Sequence, residues 1–189
     1  MNQRPNSNVD AGTLEDWESR ITDFEERPRP IARRPVDITR PDWLDRLRAG
    51  APPLDEAGVR EQAEQLLGEV IPAYAKGGDE TRSAIRRMFA EYGSFAWAAA
   101  LSTRRTSVEG LRQHLILFSM KDQGRDSRDG LLTLQEIVRE ADTAGVDKAA
   151  VLREVAAMSS STNRYGMGST RDMLLKFANT PCHGLSSSR

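Results

Sequence analysis

One stretch, Thr106 to Gly145, constrains what this chain can become more than any other: TSVEGLRQHLILFSMKDQGRDSRDGLLTLQEIVREADTAG. Its first part carries Leu111, Leu115, Ile116, Leu117, Phe118 and Met120, an apolar set that nearly encircles a helix. Such a helix has no broad polar face for water and must be buried on most sides. Thr106-Ser107-Val108-Glu109 before it has the form of a capping box, in which a hydroxyl and a carboxylate satisfy amides at the helix start. A second helix beginning at Asp126 or Ser127 presents Leu131, Leu134, Ile137, Val138 and Ala141 on one face. Its opposite face carries Gln135, Arg139, Glu140 and Asp142. Gly145 then stands where a left-handed C-cap is expected. Two helices joined by so few residues must run antiparallel. The rest of the chain has to pack around this pair.

Elsewhere the apolar residues recur at helical spacing, and no segment alternates as a strand would. Asp55 and Asp79 are placed to cap helices bearing Ala63, Leu66, Leu67, Val70, Ile71 and then Ile85, Met88, Phe89. Gly77-Gly78 separates the two. Pro72 should kink or end the earlier helix. Gly93-Ser94 precedes a short helix, FAWAAAL. Asp147 caps a helix with Val151, Leu152, Val155 and Met158, and Ser169 caps a last one with Met173, Leu174 and Phe177. The expected fold is all-α: a compact multi-helix domain of about six or seven helices with an extended N-terminal arm.

The domain plan follows. Residues 1–12 are small and polar and read as a disordered N-terminus. Residues 13–53 read as a Pro/Arg-rich arm with two short helices. The first helix starts at Thr13 and carries Leu14, Trp17, Ile21 and Phe24; the second carries Trp43, Leu44 and Leu47. Between them, RPRPIARRPVDITRP (27–41) holds four prolines and no helical period, which favours extended backbone. Residues 54–179 form the all-helical domain, and 180–189 a flexible tail.

Composition excludes more than it suggests. The net charge is −1, so no global field draws the chain to nucleic acid or an anionic membrane. Aromatics are not interleaved with the arginines of 27–40 as base stacking requires, which disfavours nucleic acid further. The longest apolar run, Phe95 to Leu101, is far short of the ~20 residues that span a bilayer. No charged-then-apolar leader is visible, and a cytoplasmic location is expected. A lone Cys182 precludes an internal disulfide or a Cys-rich zinc site. No metal, cofactor or catalytic set is expected: His114 lies alone in an apolar helix, and Cys182-His183 has no partners to hold it.

Two segments hold candidate chemistry. In NRYGMGSTR (163–171), Arg164, Gly166, Gly168, Ser169, Thr170 and Arg171 gather at a helix start, where free amides and the helix dipole favour an anion such as phosphate. The competing reading is an ordinary turn with a Ser169/Asp172 capping box. In KDQGRDSRDG (121–130), an EF-hand register would place Arg125 at the first ligand position, which excludes calcium. Alternating Arg and Asp there read instead as an ion-pair network, able to order a neighbouring loop if partly buried. Arg104, Arg105, Arg112 and Arg164 would form a basic patch only if the fold gathers them.

The function expected is that of a small helical interaction protein binding a macromolecular partner, of the adaptor, regulator or bacterial immunity type. Trp17, Arg33, Arg34 and Trp43 of the arm are its expected protein-contact residues. The alternative is a ligand-binding domain or small enzyme holding a phosphorylated or anionic compound at Gly166–Arg171.

Overall fold

The computed structural model describes residues 9–26, 56–91, 106–122, 127–162 and 168–180, without the side chains of 25, 26, 56, 57, 59, 91 and 127. These residues form seven helices and no strand, the all-α fold that the periodicity predicts. In chain order they are α1 (Ala11–Glu26), α2 (Glu56–Lys76), α3 (Asp79–Glu91), α4 (Val108–Met120), α5 (Ser127–Thr143), α6 (Lys148–Met158) and α7 (Thr170–Ala178).

The centre is α4, as its all-round apolar sequence demands. Gly110, Leu111 and every residue from His114 to Met120 are buried, and α2, α3, α5 and α6 all pack against it. Its start differs from expectation by one residue. Ser107, in extended conformation, is the N-cap and its hydroxyl accepts the Gly110 amide at 3.0 Å. Glu109 therefore falls short of the box position and holds Arg112 and Gln113 instead. The helix α5 ends as predicted. Gly145 has φ 69, its amide donates to Asp142 at 3.1 Å, and the Val146 amide donates to Ala141 at 2.9 Å. This pair of bonds is the Schellman closure, which needs a left-handed residue.

Pro72 does not end its helix: α2 continues to Lys76. The carbonyl that Pro72 cannot serve belongs to Gly68, and both residues lie on the exposed side. Burial of Val70, Ile71 and Tyr74 carries the helix past the missing bond. The break comes instead at Gly77, where a β-carbon would stand 2.7 Å from the Ala73 carbonyl oxygen. Only a residue without one fits that turn.

The N-terminal helix departs most from the sequence reading. It starts at Ala11 rather than Thr13, because Asp10 takes the cap: its carboxylate accepts the Thr13 amide at 2.9 Å. Its stripe of Trp17, Ile21 and Phe24 belongs to the same hydrophobic core as the rest of the chain. Its main packing partners are α2 and α3. Of the two courses open to the arm, wrapping its own domain or gripping a partner, its first helix takes the former and is docked on the domain. The expected helices around Trp43 and Phe95, and the strap of 27–41, lie outside the described residues.

Candidate functional site

An open groove of about 210 Å³ runs between α2 and α4. Helical spacing builds it: positions 64, 67, 68, 71, 72 and 75 share one side of α2, and 109, 112, 113 and 116 share one side of α4. The floor is apolar, with Leu67, Ile71 and Ile116 all buried. Gly68 and Pro72 keep the α2 wall low, since neither projects a long side chain.

The rim is charged and ordered. Arg112 Nε donates to both Glu154 oxygens at 3.0 and 3.1 Å, and its Nη1 donates to Glu109. Gln113 Nε2 donates to Glu109 at 3.2 Å. Two carboxylates, Glu109 and Glu154, share the one Arg112 guanidinium, so this ion cluster is net negative. This arrangement can seat an apolar side chain next to a cation. It offers no nucleophile with an adjacent base.

A second polar cluster lies where the C-terminal ends of α2, α4 and α6 meet α3 and α7. Tyr74 is fully buried; its hydroxyl donates to the Met158 carbonyl at 3.2 Å and accepts Arg86 Nη1 at 3.0 Å. Burial pushes the phenol above its ordinary 10.0, against the opposing pull of Arg86. Arg82 donates from Nε to the Tyr74 carbonyl and from Nη2 to the Ala75 carbonyl, at 3.0 and 3.1 Å. It thereby satisfies carbonyls that the end of α2 leaves open. Ser119 and Ser159 hydroxyls meet at 2.6 Å. Asp122, buried at the end of α4, accepts the Thr170 hydroxyl. Asp122 thus ties the start of α7 to the core, while Arg125 and Asp126 of the expected ion-pair network lie outside the described residues. These hydrogen bonds join α2 to α3 and α6, α4 to the end of α6, and the end of α4 to α7, which makes the cluster a structural lock.

The residues expected to bind an anion are placed otherwise than that role needs. Ser169 and Thr170 are buried, and two carboxylates already engage them. Asp172 accepts the Ser169 amide at 3.0 Å and its hydroxyl at 2.7 Å, while the Asp172 amide donates to Ser169 Oγ: a complete capping box. The Arg171 amide is taken by the Ser160 carbonyl at 3.1 Å. An incoming phosphate would meet the charges of Asp172 and Asp122 where it needs free donors. Gly168 has φ 90 and makes the turn into the cap. Arg171 is exposed. Arg164 and Gly166 lie outside the described residues.

The capping box carries a prediction. Its hydrogen bonds hold the Asp172 carboxyl below its ordinary 3.8, chiefly through Ser169. A carboxyl depressed in the folded state binds fewer protons there than in the unfolded chain. Its contribution is therefore present above the ordinary value and disappears as pH falls through the folded one. Ser169→Ala removes the cap and is expected to cost about 1 kcal/mol. It should also return the Asp172 titration, followed by NMR, towards the ordinary value. An unmoved titration would show that the cap does not hold that carboxylate.

The expected protein-contact residues fare unevenly. Trp17 is buried, with 4% of its surface exposed, and its indole Nε1 donates to Glu69 at 3.0 Å. It anchors α1 to α2 and is not displayed for a partner. Arg33, Arg34 and Trp43 lie outside the described residues, as do Arg104, Arg105 and the Cys182-His183 pair. Of the possible basic patch, Arg112 is neutralised in the groove rim. His114 is a core histidine whose Nδ1 lies 2.9 Å from the Gly110 carbonyl. No group of three His, Cys, Asp or Glu among the described residues is arranged to hold a metal ion, and no described helix is long and apolar enough to cross a membrane.

Sequence reasoning missed the α2–α4 groove, although one signal for it was present. Gly68 and Pro72, four residues apart, mark one helix side that fills no space. Comparison with known proteins finds no matching family model, no curated relative and no similar solved structure.

Proposed function

We propose that this chain is a helical interaction protein whose groove between α2 and α4 receives a segment of a protein partner. What supports the reading is the groove itself: an open depression of about 210 Å³ with an apolar floor and a rim of tethered charge, a shape able to seat one apolar side chain. The negative rim selects an apolar side chain flanked by Lys or Arg. The reading of an anion-binding domain at Gly166–Arg171 gains no comparable support, because the amides of Ser169, Arg171 and Asp172 and the hydroxyls of Ser169 and Thr170 are engaged.

The test exploits Gly68. A β-carbon there meets nothing within 4 Å, so a larger side chain enters the groove without disturbing the core. Replacing a mid-helix glycine also favours the helix by roughly 0.5–1 kcal/mol. Peptides selected from a displayed random library against the whole chain are expected to carry an apolar residue beside a basic one. They should lose binding to Gly68→Phe while its melting temperature holds or rises. Selected peptides that bind Gly68→Phe as well as the parent would remove the groove as the site.

A further inference from the structure

Two residues that helices disfavour stand one turn apart on the α2 wall of the groove. Gly68 and Pro72 both lie within α2, both are exposed and both line the depression. A glycine inside a helix leaves the unfolded chain more freedom to lose, and a proline removes a hydrogen bond outright. Departures of this kind from local preference are where functional sites are to be sought.

What the pair leaves behind is an acceptor. In a helix the carbonyl of residue 68 points towards the amide of residue 72, and proline has none. The proline ring also crowds that carbonyl and tilts it off the helix axis. Gly68 has no β-carbon to cover it, and the space beside the glycine is open: a β-carbon there would meet nothing within 4 Å. The oxygen thus belongs to the groove wall, above a floor of Leu67, Ile71 and Ile116.

The rim decides which donor suits it. Glu109 and Glu154 share the single Arg112 guanidinium, so a negative charge is left over and a cation is favoured over a neutral donor. Lysine is favoured over arginine. A guanidinium is held best by a carboxylate that accepts its fork. Both Glu154 oxygens already accept Arg112 Nε, and Glu109 holds Arg112 and Gln113. A single carbonyl suits an ammonium instead, a point donor on a stem of four methylenes that can lie along apolar surface.

We infer that the Gly68 carbonyl, freed by Pro72, accepts a hydrogen bond from a lysine ammonium of the partner segment, and that Pro72 thereby sets a preference for lysine. The apolar neighbour of that lysine occupies the floor. The inference rests on the reading of the groove as a recognition site and adds to it the atom that reads the partner's charge.

The test uses the whole chain and a peptide recovered from the displayed library, synthesised with lysine, arginine or methionine beside its apolar anchor. Binding is read by fluorescence anisotropy. The lysine form should bind about tenfold more tightly than the methionine form, as a hydrogen bond from a charged donor does, and more tightly than the arginine form. Pro72→Ala gives the Gly68 carbonyl a helical amide again and adds no bulk to the wall. Its melting temperature should rise. It should nevertheless bind the lysine form about tenfold less tightly than the parent does, and the methionine form equally well. That coupling separates a lost acceptor from an altered groove shape. Equal losses for both peptides on Pro72→Ala, or no loss for either, would overturn the inference while leaving the groove in place if Gly68→Phe still abolishes binding. An arginine form that binds as tightly as the lysine form would overturn it too. Peptides that bind Gly68→Phe unchanged would remove the groove and this inference together.

Discussion

Trp17→Ala is expected to lower the free energy of unfolding by about 3–5 kcal/mol, the range for truncating a buried large aromatic. In sequence the residue is an anchor of an arm that could wrap its own domain or grip a partner, and in the second case such a change would cost the fold almost nothing. In the structure its ring is buried in the common core with Ile21 and Phe24. The loss has two parts. The larger is the cavity left between α1 and the body; the smaller is the indole hydrogen bond to Glu69. That carboxylate is not orphaned, because Arg20 still holds it with two hydrogen bonds. Arg20→Ala alone should cost no more than about 1 kcal/mol, since both partners are partly exposed. Urea denaturation followed by circular dichroism separates the two variants. Near-equal midpoints for Trp17→Ala and the parent would show that α1 is an appendage, not part of the core.

What could be read from the sequence divides along the range of the interactions. The central pair was legible because its information is local: the period of Leu134, Ile137, Val138 and Ala141, and the glycine at 145. Its one error, the cap at Ser107 instead of Thr106, arises because adjacent hydroxyls are equally able and only the backbone conformation chooses. Pro72 does not end α2 for a related reason. Its penalty is local, whereas the burial of Val70, Ile71 and Tyr74 that overrides it depends on other helices.

The stripe on α1 was visible, but not what it covers. Trp17 and Glu69 lie 52 residues apart, and nothing in either neighbourhood points to the other. The bond between Asp122 and Thr170, 48 residues apart, was equally hidden. It joins the residue just before the Arg/Asp turn to the helix start that looks like an anion site. The groove escaped notice because it is defined by what Gly68 and Pro72 leave out.

Tyr74 is the clearest case of a residue whose importance appears only in three dimensions, and it gives the second large effect. Tyr74→Ala should cost about 3–5 kcal/mol, as for other buried aromatics. Tyr74→Phe should cost about 1–3 kcal/mol, because it keeps the ring and removes only the hydroxyl. That hydroxyl is the meeting point of three helices: it belongs to α2, donates to the last carbonyl of α6 and accepts from Arg86 of α3. Without it, the Met158 carbonyl loses this donor and Arg86 loses the acceptor for Nη1. Arg86 Nε is already buried without a hydrogen-bond partner among the described residues, so the guanidinium depends heavily on what remains. Its Nη2 donates to the Ser83 hydroxyl at 3.1 Å, and the Tyr74 ring lies 6.0 Å below. If the network carries the energy, Arg86→Met in the Tyr74→Phe background should cost less than in the parent, because the cation it removes has already lost its partner. A double-mutant cycle by chemical denaturation measures this. Strict additivity would mean that Tyr74 holds the helix ends together through its ring alone.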